Sequence, residues 1–253
     1  MRFGPGASFT GGPGFVTVFA LYFPRSIPMS SPQVDQFAVL PDTALLQGLT
    51  DVIRFLHARG WTPATSSNFS CRVNEDAPGF AVSVSGLDKG EFTATDFMAV
   101  DYAGQVLLPE QAHLRPSAET LLHSVVYRLY PQARVVLHCH SVNGTVLSKL
   151  YEAKNGLWLE NFEILKGFEG VKTHEARLWL PVFPNAQEMD ILARKVEAEL
   201  RNHNTVYGFM LAGHGLYTWG ETLAQAKRHV ETFEFLFEAI LKLRLYGYPD
   251  YTG

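Results

Sequence analysis

The residues best equipped for chemistry lie in VVLHCHSVNG, residues 135–144, where His138 and His140 close an apolar run of Val135, Val136 and Leu137. Alternate side chains of a strand share a face, so the two imidazoles point to one side and suit two ligands of a single metal ion. Cys139 between them points the other way, into the packing, and is a poor third ligand. A metal site needs at least one more protein ligand. The best candidate is His214 in LAGHGLYTWG, which also ends an apolar strand and whose flanking glycines allow close backbone approach. Three neutral imidazoles with an open position describe a catalytic zinc site better than a structural one. Such a nitrogen-rich set also accepts iron or another divalent ion. The plain alternative is a set of unrelated histidines. The chain has nine; His57, His123, His203 and His229 fall on predicted helices without a partner pattern, and His113 and His174 fall in loops.

Three small-residue stretches offer a second function. SSNFS (66–70), SG (85–86) and RPSAE (115–119) present hydroxyls and backbone N–H groups, and Ser117 stands at a predicted helix start, where anions bind readily. Together they could hold a phosphate; singly, each reads as a turn or a cap. Lys89 and Arg115 could add charge, or be ordinary surface residues. Two carboxylates complete the set. Glu119 lies in a first helical turn, where it also suits the helix dipole. Glu163 lies in the apolar stretch NFEILKG. If buried there its pKa would be raised, as a general acid/base requires; if not, it is an exposed glutamate on an amphipathic element.

These residues must be positioned by mixed elements. Apolar spacing predicts helices over 43–59, with Asp42 as cap and Gly60 as stop, over 115–131 with Ser117 as cap, over 187–203, and over 222–247, the last apolar around much of its circumference. Strands are predicted at 80–86, at 97–109 as two around the turn YAGQ, and at 133–140, 206–215 and 216–219. Residues 157–165 fit strand or helix, and 61–73 reads as a polar loop. No dinucleotide fingerprint, P-loop or internal repeat is present, and the class is α/β/α with a sheet that is not purely parallel.

The 253 residues carry a net charge of −4, without the basic patch of a nucleic-acid binder, and no apolar run reaches membrane-span length. Two cysteines, Cys71 and Cys139, favour a reducing cytoplasm over a disulfide framework. Residues 1–35 differ from the rest. They are rich in glycine and proline around the apolar run FVTVFALYF, which lacks a convincing cleavage site for a secretory signal. They read as a disordered extension preceding a catalytic domain at 36–253, with Met29 as an alternative start.

In this order, NFS, SG, RPSAE, HCH and GHG resemble the motifs of the class II aldolase/adducin family over about residues 40–247. Within it, RPSAETLLH, FEILKG, HGLYTWGETLAQAKR and ETFEFLF are similar to a branch of sugar-phosphate dehydratases of methionine salvage. The resemblance implies a three-layer α/β/α sandwich with a mixed, mainly antiparallel sheet. It also implies a homotetramer with active sites between subunits, and one zinc ion per subunit on His138, His140 and His214. It places Glu163 where the dehydratases have their acid/base and Glu119 where aldolases have their base. Asn68, Ser85, Gly86 and Ser117 fall on phosphate-contacting positions. Aldolase or epimerase chemistry on a sugar phosphate, and a non-catalytic scaffold like the adducin head, stand as alternatives. Two departures are visible: Ser67 precedes Asn68 where aldolases usually have glycine, and Ala118 replaces a common second serine.

Overall fold

The computed structural model describes residues 40–203 and 206–248, all within one unit of the chain, Val34–Gly253. The extension expected at 1–35, and Met29 within it, lie outside the described residues. In chain order the elements are α1 (Thr43–Ala58), β1 (Asn68–Cys71), β2 (Gly79–Ser83), β3 (Phe97–Asp101), α2 (Thr120–Leu129), β4 (Val135–Cys139) and α3 (Val142–Tyr151). There follow β5 (Gly156–Glu160), β6 (Arg177–Phe183), α4 (Met189–Leu200), β7 (Gly208–Leu211), β8 (Gly215–Gly220) and α5 (Leu223–Leu245).

The strands form a sheet in the order β3-β2-β1-β4-β8-β7-β6-β5. Every pairing is antiparallel except β6 with β7. Alternation assigns the two faces. Val136 of β4 joins Leu122 and Val126 of α2, Val196 of α4 and Phe209 of β7 in one core. Val135, Leu137 and Cys139 join Leu49 and Ile53 of α1 and Val230 of α5 on the opposite face. Leu147 of α3 and Leu236 of α5 extend that second layer over Leu159 and Leu180. The sandwich thus has three layers, with the sheet between α2/α4 and α1/α3/α5.

Asp42 caps α1 by accepting a hydrogen bond from the Leu45 N–H at 2.8 Å, as its sequence suggested. The helix expected from 115 starts later, at Thr120. Residues 115 and 116 are used instead for pairing: the Ser85 N–H donates to the Arg115 carbonyl at 3.1 Å, and Val84 bridges to Pro116. That pairing sets the SG turn beside RPS. The second strand expected around YAGQ reduces to a bridge between Val100 and Val106. The ambiguous stretch 157–165 divides into β5 and a 3-10 turn at Glu163–Gly167. Three elements had no clear signal: β1, polar and four residues long; α3, with Gly144 inside it; and β6, interrupted by Pro181.

Candidate metal centre and anion pocket

Strand β4 points His138 toward the α2/α4 face, fully buried, while Cys139 turns away into the opposite core, as expected. His140 follows the strand, its N–H held by the Trp61 carbonyl at 2.8 Å. His214 sits in the turn between β7 and β8. Gly213 before it has φ +66°, a conformation costly for other residues. Gly215 after it leaves room for β4, since a Cβ there would lie 2.1 Å from the Cys139 carbonyl oxygen.

The three rings converge. His140 Nε2 lies 2.7 Å from His138 Nε2 and 3.1 Å from His214 Nε2. Glu119 closes the set from the start of α2, with Oε2 3.4 Å from His138 Nε2 and Oε1 3.1 Å from His214 Nε2. One ligand atom from each of the four residues lies within 4.8 Å of the others. The His138 Nδ1–H donates to the Leu216 carbonyl at 2.9 Å, which leaves Nε2 as a bare lone pair aimed at the centre. Burial holds the His138 ring well below its usual pKa. Burial, with His214 beside it, pushes His140 down to about 4. Three imidazole Nε2 atoms and a carboxylate converging at these distances form a donor set that a divalent cation would satisfy together. Burial would raise the Glu119 carboxyl, but the hydrogen bond to His214 and the neighbouring His138 outweigh it and hold it well below the carboxylate range.

Beside this cluster lies a cavity of about 170 Å³, lined by Asn68, Ser85, Gly86 and Ser117, with Glu119 and His140 on its wall. The four residues read as phosphate contacts therefore meet in one place, adjoining the metal set. Asn68 stands opposite His138 in the β1/β4 register. Gly86 has φ +81°, as a tight turn requires. Ser117 Oγ accepts from the Glu119 N–H at 3.2 Å, a local turn before the helix, and is not the expected cap, because α2 begins at Thr120 with Glu119 at the N-cap position. Lys89 is buried and donates to the Leu87 carbonyl at 2.8 Å, and neither it nor Arg115 is among the cavity residues. A larger cavity of about 900 Å³ near Leu45, Arg134 and Leu223 contains none of the site residues.

Glu163 is elsewhere. Within the single chain its side chain is 71% exposed, ion-paired to Lys166 at 2.5 Å and near His174 at 3.7 Å. The Lys166 hydrogen bond lowers its pKa, the opposite of the rise expected from NFEILKG. The reason is local: the 3-10 turn directs Leu165 inward and leaves Glu163 outside. Sequence reading also passed over His123, which is fully buried and bonded to Asn68. Nothing in a lone helical histidine marks it until β1 is laid beside α2.

Residues 47–241 match the Class II Aldolase and Adducin N-terminal domain family, and the chain belongs to that family. The methylthioribulose-1-phosphate dehydratase of Marinobacter nauticus is 49% identical over 196 residues, 78% of this chain and 92% of that protein. The enzyme of the same name from Stenotrophomonas maltophilia is 46% identical over 200 residues, 79% of this chain and 91% of its own length. Among solved structures, the L-fuculose-1-phosphate aldolase of Thermus thermophilus superposes with a TM-score of 0.61 at 25% identity, covering 81% of this chain and 95% of that one. YgbL of Klebsiella pneumoniae, described as a putative aldolase/epimerase/decarboxylase, gives 0.66 at 22% identity, over 80% and 91% of the two chains, and shares the fold.

Proposed function

We propose that the chain is a methylthioribulose-1-phosphate dehydratase, a hydro-lyase that removes water from 5-methylthioribulose 1-phosphate to give 2,3-diketo-5-methylthiopentyl-1-phosphate in methionine salvage. The observation that carries the reading is the three-histidine, one-carboxylate cluster next to a small polar cavity, in a chain nearly half identical to dehydratases over most of its length. His138, His140 and His214 hold the cation, which we assign as zinc, one per subunit. Bound there, it supplies Lewis-acid polarisation of the substrate's C2 carbonyl and C3 hydroxyl oxygens. Asn68, Ser85, Gly86 and Ser117 bind the C1 phosphate through hydroxyl, amide and backbone donors, and so orient the reacting carbons beside the cation. Glu163 removes the proton from C3 and returns a proton to the C4 hydroxyl, which leaves as water. The resulting enol then tautomerises to the diketone.

Glu163 is exposed in the single chain, so this role requires a neighbouring subunit to carry it to the cluster. We therefore read the working form as a homotetramer with active sites between subunits. We assign it to the cytoplasm, which the free, buried Cys71 and Cys139 suit, and no described helix is long and apolar enough to cross a membrane. One observation favours a second reading: the carboxylate inside the cluster is Glu119, at the position of the aldolase base. A sugar-phosphate aldolase or epimerase would use it. The non-catalytic scaffold has no such support, because it gives the converged ligands no purpose.

Product identity decides between these readings. Metal-loaded protein incubated with methylthioribulose 1-phosphate should release water and the diketone, followed by NMR. Dihydroxyacetone phosphate plus an aldehyde, formed at a competitive rate, would move the assignment to the aldolase.

A further inference from the structure

Behind the cavity runs a buried chain of hydrogen bonds that leads from Asn68 to His123, Ser70 and Tyr127, three residues without a part in the proposed reaction. Asn68 Nδ2 lies 2.5 Å from Glu119 Oε2 and 3.4 Å from Ser117 Oγ, while Asn68 Oδ1 lies 2.5 Å from His123 Nε2. His123 Nδ1 lies 2.7 Å from Ser70 Oγ, which lies 2.8 Å from the Tyr127 hydroxyl. Ser70 and His123 are fully buried, and Asn68 and Tyr127 nearly so. No water is needed to complete the chain.

The direction of every bond follows from one end. The Glu119 carboxylate only accepts, so the amide must turn its NH₂ toward it. Asn68 Oδ1 then faces His123 and needs a donor, which makes Nε2 the protonated nitrogen. Burial pushes the His123 pKa down to about 3, against the pull of Glu119, so the ring carries a single proton at neutral pH. Nδ1 is therefore bare and accepts from the Ser70 hydroxyl. Ser70, its proton committed, accepts from Tyr127. With His123 in the other tautomer, a lone pair would face Asn68 Oδ1. The amide would then flip and set its oxygen against Glu119.

We infer that His123 is a positioning residue: it holds the amide of Asn68 with its NH₂ toward Glu119 and Ser117 on the cavity wall and its carbonyl oxygen turned away from the cavity. A cavity that meets this NH₂ rather than the amide oxygen gains no second acceptor beside Glu119, and so better receives an anionic oxygen, such as one of a phosphate. The inference deepens the sugar-phosphate reading and rests on it for the identity of the anion.

Two measurements test it. In protein labelled with ¹⁵N at histidine, His123 should show protonated Nε2 and bare Nδ1, unchanged between about pH 5.5 and 8. An Nδ1–H tautomer overturns the proposal. Binding of inorganic phosphate to the metal-loaded protein gives the second readout. His123→Leu should weaken it about tenfold or more while metal content stays at one per chain. His123→Gln, which retains an N–H for Asn68 and a carbonyl for Ser70, should restore most of it. Wild-type phosphate affinity in His123→Leu overturns the proposal. If that variant does not fold, the tautomer and the His123→Gln affinity still decide. A wild-type protein that bound no phosphate would count against the sugar-phosphate reading, while the tautomer would be read without any ligand.

Discussion

Glu119 and Glu163 both end in the same carboxylate, yet one is enclosed by imidazoles and the other paired to a surface lysine. Their proposed roles predict opposite mutational signatures. Glu163→Gln preserves shape but cannot move a proton, so zinc content should hold while turnover falls by about two orders of magnitude or more. Glu119→Gln disturbs the metal cluster, and metal affinity should fall with activity. A larger loss of activity in Glu119→Gln than in Glu163→Gln, with metal retained in both, would favour Glu119 as the base. His140→Ala should remove most bound zinc, because two imidazoles seldom hold a catalytic ion well; elemental analysis of the purified variant reads this directly. Ser67 offers a test on stability. It has φ +72°, in the left-handed region, and its buried hydroxyl has no hydrogen-bond partner among the described residues. Left-handed backbone costs a non-glycine residue about 1–2 kcal/mol, and an unsatisfied buried hydroxyl costs about 1–3 kcal/mol. The extra unfolded-state freedom of glycine offsets about 0.5–1 kcal/mol. Ser67→Gly, which restores the residue aldolases usually carry, should therefore raise stability by about 1 kcal/mol or more in chemical denaturation.

At the scale of elements, the site depends on how closely β8 lies to β4. A methyl at Gly215 would meet the Cys139 carbonyl oxygen and approach His138 Cε1 at 3.1 Å. Gly215→Ala should cost about 1–3 kcal/mol of stability and weaken metal binding as His138 is displaced; calorimetric zinc titration alongside a melting curve separates the two. Helix α5 carries a second device. Glu234 is buried beneath the strand that bears the histidines, and burial, eased by the Ser141 hydroxyl and worsened by Glu238, raises its pKa from 4.5 to about 7. The folded state then holds a proton that the unfolded state releases between about pH 4.5 and 7. Stability present below pH 4.5 is thus lost as pH rises through this window, with a ceiling of about 3 kcal/mol. Glu234→Gln should remove this slope and melt higher at pH 8. A variant with the wild-type pH dependence of melting would show that another group titrates.

At the scale of the whole molecule, the decisive question is what completes the site. Val142, Val146 and Leu150 of α3 and Leu245 of α5 are exposed apolar side chains in the single chain. They are suited to cover by other subunits. Light scattering of the purified protein should return about four times the chain mass of 28.2 kDa. Complementation tests the shared site: His140→Ala and Glu163→Gln, each inactive alone, should regain part of the activity when co-assembled. Some sites would then join an intact metal cluster with an intact Glu163. No recovery in demonstrably mixed assemblies would place Glu163 and its cluster within one chain. Deleting residues 1–28, so that the chain begins at Met29, should leave melting temperature and activity nearly unchanged, as their glycine- and proline-rich composition suggests.

The sequence by itself determined the long periodic helices, the buried β4 and the three histidines, because hydrophobic period and ligand chemistry are written locally. It also determined the family, through five short motifs in order. Only the tertiary structure could show β1, α3 and β6. Their segments are short, polar, or broken by Gly144 or Pro181, and neighbouring strands and helices supply the stabilisation that their own pattern lacks. The partners of buried polar groups were likewise decided by packing: His123 gains its role because Asn68 is 55 residues away in sequence and 2.5 Å away in space. Whether Glu163 is buried in its own chain was open in the sequence for the same reason. Apolar neighbours in sequence indicate that a segment packs, but the backbone turn decides which side chain faces the core and which remains in water.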